Sequence, residues 1–184
     1  MKAIRDMTVG ELAAYVAGHL GGRGFDVVLS GGACVMLYSR GDYVSMDLDF
    51  VRTGVGAGRR LREALAEIGF AEKGRCFAHP ETDFLLDFPG GPLAVGRQPV
   101  EAVRTLEFPT GTLRLLSPTD CVKDRLANYF HFGDRQCLHQ AMLVTRAEAV
   151  DLDDVARWSA AEGKREAFEQ VRDALRGARA PGRP

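Results

Sequence analysis

Two short stretches of the chain alternate apolar and acidic residues with a period of two, and only an extended strand can satisfy such a pattern. In Val44-Ser45-Met46-Asp47-Leu48-Asp49-Phe50-Val51 successive side chains point to opposite faces of a strand. Met46, Leu48 and Phe50 are therefore predicted to line a core, with Ser45, Asp47 and Asp49 on the face opposite. Asp is disfavoured in strands, and Asp47 and Asp49 would stand about 7 Å apart on one face. Two like charges so placed repel unless a cation lies with them. The pattern returns in Phe84-Leu85-Leu86-Asp87-Phe88. Phe84, Leu86 and Phe88 face inward, and Asp87 faces the side that Asp47 and Asp49 would occupy on a neighbouring strand. Asp83 falls on the same face but at the strand's start, which favours Asp87 as the third acid.

Hard oxygen ligands of this kind suit Mg²⁺ or Mn²⁺. Three carboxylates from two strands are the arrangement expected of a two-metal phosphoryl-transfer site, where the ions activate a hydroxyl and neutralise a leaving pyrophosphate. A complementary feature precedes them. Asp26 to Ser30 reads as a strand broken by Gly31-Gly32, and Ala33 to Ser39 reads as a helix. Such a turn lets backbone amides and a positive helix end approach phosphate oxygens with no Cβ in the way, and the Ser30 hydroxyl would add a contact.

The remaining chain supplies the frame. Thr8-Val9-Gly10-Glu11 has capping-box spacing, and Leu12, Tyr15, Val16, His19 and Leu20 follow at helical spacing up to Gly21-Gly22. A Gly-rich loop (Thr53 to Gly58) leads to a helix over 59–68. Short strands are predicted at 75–78 and 83–88, and a hairpin from 100–108 and 112–116 around Pro109-Thr110-Gly111. From Ser117 the chain reads helical, with Ser117 as cap and Pro118 at the first helical position. Further helices are predicted at 134–147, 153–162 and 164–177. The fold class is α+β: a small mixed sheet over residues 1–116 flanked by helices, a helical C-terminal region over 117–179 packed on it, and a frayed tail at 180–184.

The formal charge of −1, from 24 Lys+Arg and 25 Asp+Glu, provides no global field toward nucleic acid. From Lys164 onward, however, six basic residues stand against three acidic ones. No apolar run approaches the ~20 residues of a membrane span, and the N-terminus lacks a signal-peptide stretch. A cytoplasmic protein with no membrane partner is expected. Cys34, Cys76, Cys121 and Cys137 lie far apart, without Cys-x-x-Cys, and read as reduced packed thiols.

Gly31-Gly32, then Asp47-x-Asp49 between hydrophobic residues, then Asp87 on a later strand resembles the nucleotidyltransferase superfamily of polymerase-beta-like fold. Within it the chain is similar to the abortive-infection (AbiEii-like) toxin nucleotidyltransferases over roughly residues 25–146. The resemblance implies Asp47, Asp49 and Asp87 as catalytic metal ligands for Mg²⁺ or Mn²⁺, with Asp87 as general base. It places Ser30, Gly31, Gly32 and Ser45 around the nucleoside triphosphate substrate. It also implies that Lys123, in Pro118-Thr119-Asp120-Cys121-Val122-Lys123-Asp124-Arg125, neutralises phosphate, and that Asp134 of Asp134-Arg135 supports the nucleotide site. Asp134, following Gly133, equally reads as a helix N-cap. Residues 33–46 separate Gly32 from Asp47, a long interval that must fit Arg40-Gly41-Asp42-Tyr43.

The expected activity is transfer of a nucleoside monophosphate to a hydroxyl acceptor, either RNA such as a tRNA 3′ end or a protein, by a toxin paired with a cognate antitoxin protein. The alternatives are a small-molecule (antibiotic) nucleotidyltransferase and a non-catalytic nucleotide-binding or interaction module of the same fold. Weaker patterns read blandly. Gly54-x-Gly56-x-Gly58 lacks the third glycine of a dinucleotide fingerprint, Arg59 standing there. His131, Cys137 and His139 lack a fourth zinc ligand at matching spacing. Trp158, Phe168 and the run Tyr129-Phe130-His131-Phe132 read as packing residues, the run joining helix to sheet.

Overall fold

The computed structural model describes residues 2–53 and 58–178. It is an α+β protein whose chain divides into two units. The first comprises the residues up to Ala33, Ser45–Leu93 and Val103–Leu115. Its opening helix, α1 (Val9–Gly21), starts where the sequence predicts. The Thr8 hydroxyl accepts the Glu11 N–H at 3.3 Å, and the Glu11 carboxylate accepts the Thr8 N–H at 2.7 Å. The same carboxylate pairs with Lys2 at 2.7 Å. Lys2, followed by the Thr8 amide, holds the Glu11 pKa down at about 2. Leu12, Val16 and Leu20 are wholly buried, in keeping with one apolar stripe. This helix packs on β1 (Val27–Ser30), α3 (Gly58–Ala66) and β8 (Val103–Phe108).

Seven strands form one mixed sheet in the order β3 (Ala71–Lys73), β4 (Cys76–His79), β5 (Thr82–Asp87), β2 (Asp47–Arg52), β1, β9 (Gly111–Leu116), β8. β2 runs antiparallel to β1 and parallel to β5. Leu48, Phe50 and Leu86 are fully buried on one face, where Phe88 stacks on Phe50 at 5.8 Å and meets Phe77 edge-on at 5.7 Å. The predicted strand at 44–51 begins three residues late. The Ser45 hydroxyl accepts the Asp47 N–H at 3.3 Å and donates to the Asp47 carbonyl at 3.1 Å, a local turn that competes with the ladder. Val44 and Met46 are consequently 60% and 45% exposed, so Met46 is not a core residue. β3 was not predicted: three exposed residues carry no apolar periodicity.

The second unit comprises Cys34–Val44, Ala94–Ala102 and the chain from Leu116 onward, so the division falls inside α2 (Gly31–Tyr38). Its helices are α4 (Pro118–Phe132), α5 (Arg135–Ala147), α6 (Leu152–Ala161) and α7 (Arg165–Ala178), joined by a two-stranded ribbon of β6 (Ala94–Val95) and β7 (Gln98–Pro99). Several boundaries have a chemical cause. Ser117 caps α4, and Gly133 closes it at φ +68°. Asp134 then caps α5, and Asp151 caps α6 through the amides of Asp153 and Asp154. Trp158 donates its indole N–H to the Val95 carbonyl at 3.1 Å and stacks on Phe130 at 6.2 Å. Phe168 is buried, whereas Phe132 is 82% exposed, so the aromatic run does not act as one packing block.

None of the four cysteines, all among the described residues, is joined in a disulfide. Among the described residues no helix is long and apolar enough to cross a membrane. Residues 54–57 of the Gly-rich loop and the tail at 180–184 lie outside the described residues.

Candidate active site

Backbone register assembles the acids. In the parallel β2–β5 pair Asp49 stands opposite Asp87 and Asp47 opposite Leu85, while on the other side of β2 Ser30 stands opposite Asp49. Register partners share a face, so Ser30, Asp49 and Asp87 form one row across three adjacent strands about 4.8 Å apart. Asp47 lies on the same face one pleat away. The alternation anticipated this shared face, and the partner of Asp49 proves to be Asp87.

The side chains are arranged individually. Asp47 is exposed, and Asp49 and Asp87 are half-buried. One Asp87 oxygen, Oδ1, accepts the Phe88 N–H at 2.8 Å, and the other, Oδ2, lies 3.6 Å from Nη2 of Arg75. The Ser30 hydroxyl donates to the Asp49 carbonyl at 3.2 Å, tying β1 to β2.

Gly31, the next residue, has φ +68°, a left-handed conformation that side chains resist. A Cβ on Gly31 would overlap Oδ2 of Asp49 outright and lie 3.0 Å from its Cγ. The glycine is therefore required twice, for its backbone angle and for the carboxylate lying against it. Gly31 and Gly32 are both buried at the head of α2.

The donor set suits a divalent ion in kind, being three hard carboxylates on adjoining strands. It is not closed around one, since among the described residues no three His, Cys, Asp or Glu side chains are gathered as a ligand group.

Other residues implied by the resemblance have different surroundings. Lys123 is 2% exposed, and its ammonium lies 2.6 Å from Oδ2 of Asp154 and 3.3 Å from Oδ1 of Asp120. The pair with Asp154 ties α4 to α6. Asp134 caps α5, accepting from the Gln136 N–H at 2.9 Å and the Cys137 thiol at 3.3 Å. These bonds, the thiol's first, hold its pKa below the usual carboxylate range. Ser45 is occupied in the turn before β2.

Arg75 was not anticipated. It follows Gly74 on the β3–β4 turn, and the Lys73-Gly74-Arg75 sequence is a hairpin signal that becomes readable only once β3 is recognised.

No protein-family model matches the chain, and no curated protein sequence matches it significantly. Solved structures do. An antigenic nucleotidyltransferase-like protein from Paracoccidioides brasiliensis superposes with a TM-score of 0.62 at 15% identity, covering 93% of each chain. The antibiotic-resistance factor ANT(2'')-Ia superposes with a TM-score of 0.51 at 16% identity, over 92% of this chain and 95% of that one. The fold is therefore nucleotidyltransferase-like, and the row of acids lies within it.

Proposed function

We propose that the chain is a metal-dependent nucleotidyltransferase that moves a nucleoside monophosphate from a nucleoside triphosphate to a hydroxyl acceptor, releasing pyrophosphate. The observation that carries this reading is the register of Asp49 against Asp87, with Ser30 and Gly31 at the same level. Like charges directly opposite on adjacent strands destabilise a sheet, which favours a ligand as the reason for them. Asp47, Asp49 and Asp87 would hold Mg²⁺ or Mn²⁺, which when bound supplies charge neutralisation of the polyphosphate and acidification of the acceptor hydroxyl. Gly31 and Gly32 admit phosphate oxygens to the head of α2. Asp87 also serves as the general base toward the acceptor hydroxyl.

For the acceptor, the sequence resemblance to AbiEii-like toxins supports RNA or a protein hydroxyl, in a toxin held in check by an antitoxin protein. The likeness to ANT(2'')-Ia supports a second reading, an antibiotic-like small molecule. Incubation with Mg²⁺ and each α-labelled nucleoside triphosphate, adding RNA, protein or aminoglycosides in turn, separates them by where the label goes. Asp49→Asn is the control and is expected to abolish transfer. Equal, absent labelling by wild type and Asp49→Asn overturns the enzymatic reading and leaves a nucleotide-binding module.

A further inference from the structure

Arg75 is 88% exposed, and its Nη2 reaches Oδ2 of Asp87 at 3.6 Å. It sits on a turn made by Gly74 at φ +65°, immediately after Lys73, which pairs with Cys76 across the hairpin. The two oxygens of Asp87 are thus held in different ways. Oδ1 is fixed by a backbone amide of its own strand, whereas Oδ2 faces a guanidinium on a long, solvated stem.

We propose that Arg75 is a positioning residue that occupies Oδ2 of Asp87 as a stand-in cation, so that Arg75 and the divalent ion are alternative partners of the third carboxylate. This rests on the metal-binding reading of Asp87 given above.

Two considerations support the exchange. Asp87 lies directly opposite Asp49, and like charges so placed need a positive charge nearby. A guanidinium meets that need, because it does not deprotonate in proteins. The contact must also yield. A single long approach from so exposed a side chain lacks the paired short hydrogen bonds of a strong arginine–carboxylate fork, and its strength corresponds to a factor of only about 1.4 to 5 in an equilibrium constant. A divalent ion, with twice the charge and direct ligation, displaces it. Arg75 thereby occupies Oδ2 until the ion arrives, and it weakens ion binding by the strength of its own contact.

Binding of Mn²⁺ alone, followed by the electron paramagnetic resonance signal of the free ion at fixed low ionic strength and without nucleotide, tests this. Arg75→Ala is expected to bind Mn²⁺ about threefold more tightly than wild type, and Arg75→Lys to stay within twofold of it. In an Asp87→Asn background, Arg75→Ala is expected to change nothing. Unchanged or weaker Mn²⁺ binding by Arg75→Ala, over a measurable wild-type affinity, overturns the proposal alone. So does a tightening that persists in Asp87→Asn, since that would be a general charge effect. No Mn²⁺ binding by wild type or Arg75→Ala overturns the metal site itself, and the proposal with it. Circular dichroism melting confirms that each variant is folded, as the exposure of Arg75 leads one to expect.

Discussion

Gly31 shows how narrowly a single position is set. Its φ of +68° alone disfavours any side chain, and Oδ2 of Asp49 fills the space a Cβ would take. Gly31→Ala is expected to cost about 1–3 kcal/mol in urea denaturation, the usual range for a side chain forced into the left-handed region. Part of this should be recovered in Gly31→Ala/Asp49→Ala, because the two changes share one contact and do not add. Glu11 offers a second test, by pH. Its folded pKa of about 2 lies below the unfolded value near 4.5, so its contribution is fully present above the unfolded value and is lost as pH falls through the folded one. The melting temperatures of wild type and Glu11→Gln should therefore differ by a constant gap above about pH 5 and converge toward pH 2.

At the scale of elements, the pair α4 and α6 depends on a buried charge. Lys123 is almost wholly enclosed, while its partners Asp120 and Asp154 keep 19% and 31% of their side-chain exposure. Losing the ammonium leaves two acids that can rehydrate, so Lys123→Met is expected to cost about 1–3 kcal/mol, less than the ~3–5 of a fully buried pair. Thermal unfolding reads this without any assay of transfer. The same residue marks where the sequence stops being legible. Period-two alternation exposes Asp47, Asp49 and Asp87 to inspection, because strand geometry fixes their common face whatever the neighbours are. Caps at Thr8, Ser117 and Asp134 are legible for the same reason, each being a contact within three residues. Asp120, three residues back in α4, is within reach of sequence spacing, but Asp154 is thirty-one positions distant on another helix, and spacing within α4 gives no hint of it. Ser45 misleads in the opposite sense: it continues the alternation on paper, yet its hydroxyl bonds the backbone of Asp47 and delays β2. Arg75 stays hidden because the strand that aims it, β3, is too short to announce itself.

For the whole molecule, the fold persists at 15–16% identity to the solved structures, which places the burden of specifying it on pattern and not on particular side chains. The acids are a different matter, because the sheet does not need them. Asp47 is exposed, on a face shared with two more carboxylates, so its charge opposes the folded state when no cation is bound. Asp47→Asn is accordingly expected to melt at or slightly above the wild-type temperature in the presence of a chelator. Ligand linkage reverses the order. At a hundredfold excess over the dissociation constant, Mg²⁺ with a nucleoside triphosphate stabilises by about 2.7 kcal/mol, or about 5–10 °C for a chain of this length at ~2–4 °C per kcal/mol. Wild type should show that rise and Asp47→Asn most of its loss. A variant that is as stable as wild type without ligand, yet gains much less with it, separates a carboxylate kept for binding from one kept for folding. A common shift in both proteins would count against Asp47 as a ligand, and a lower melting temperature in chelator would count against the strain ascribed to the acids.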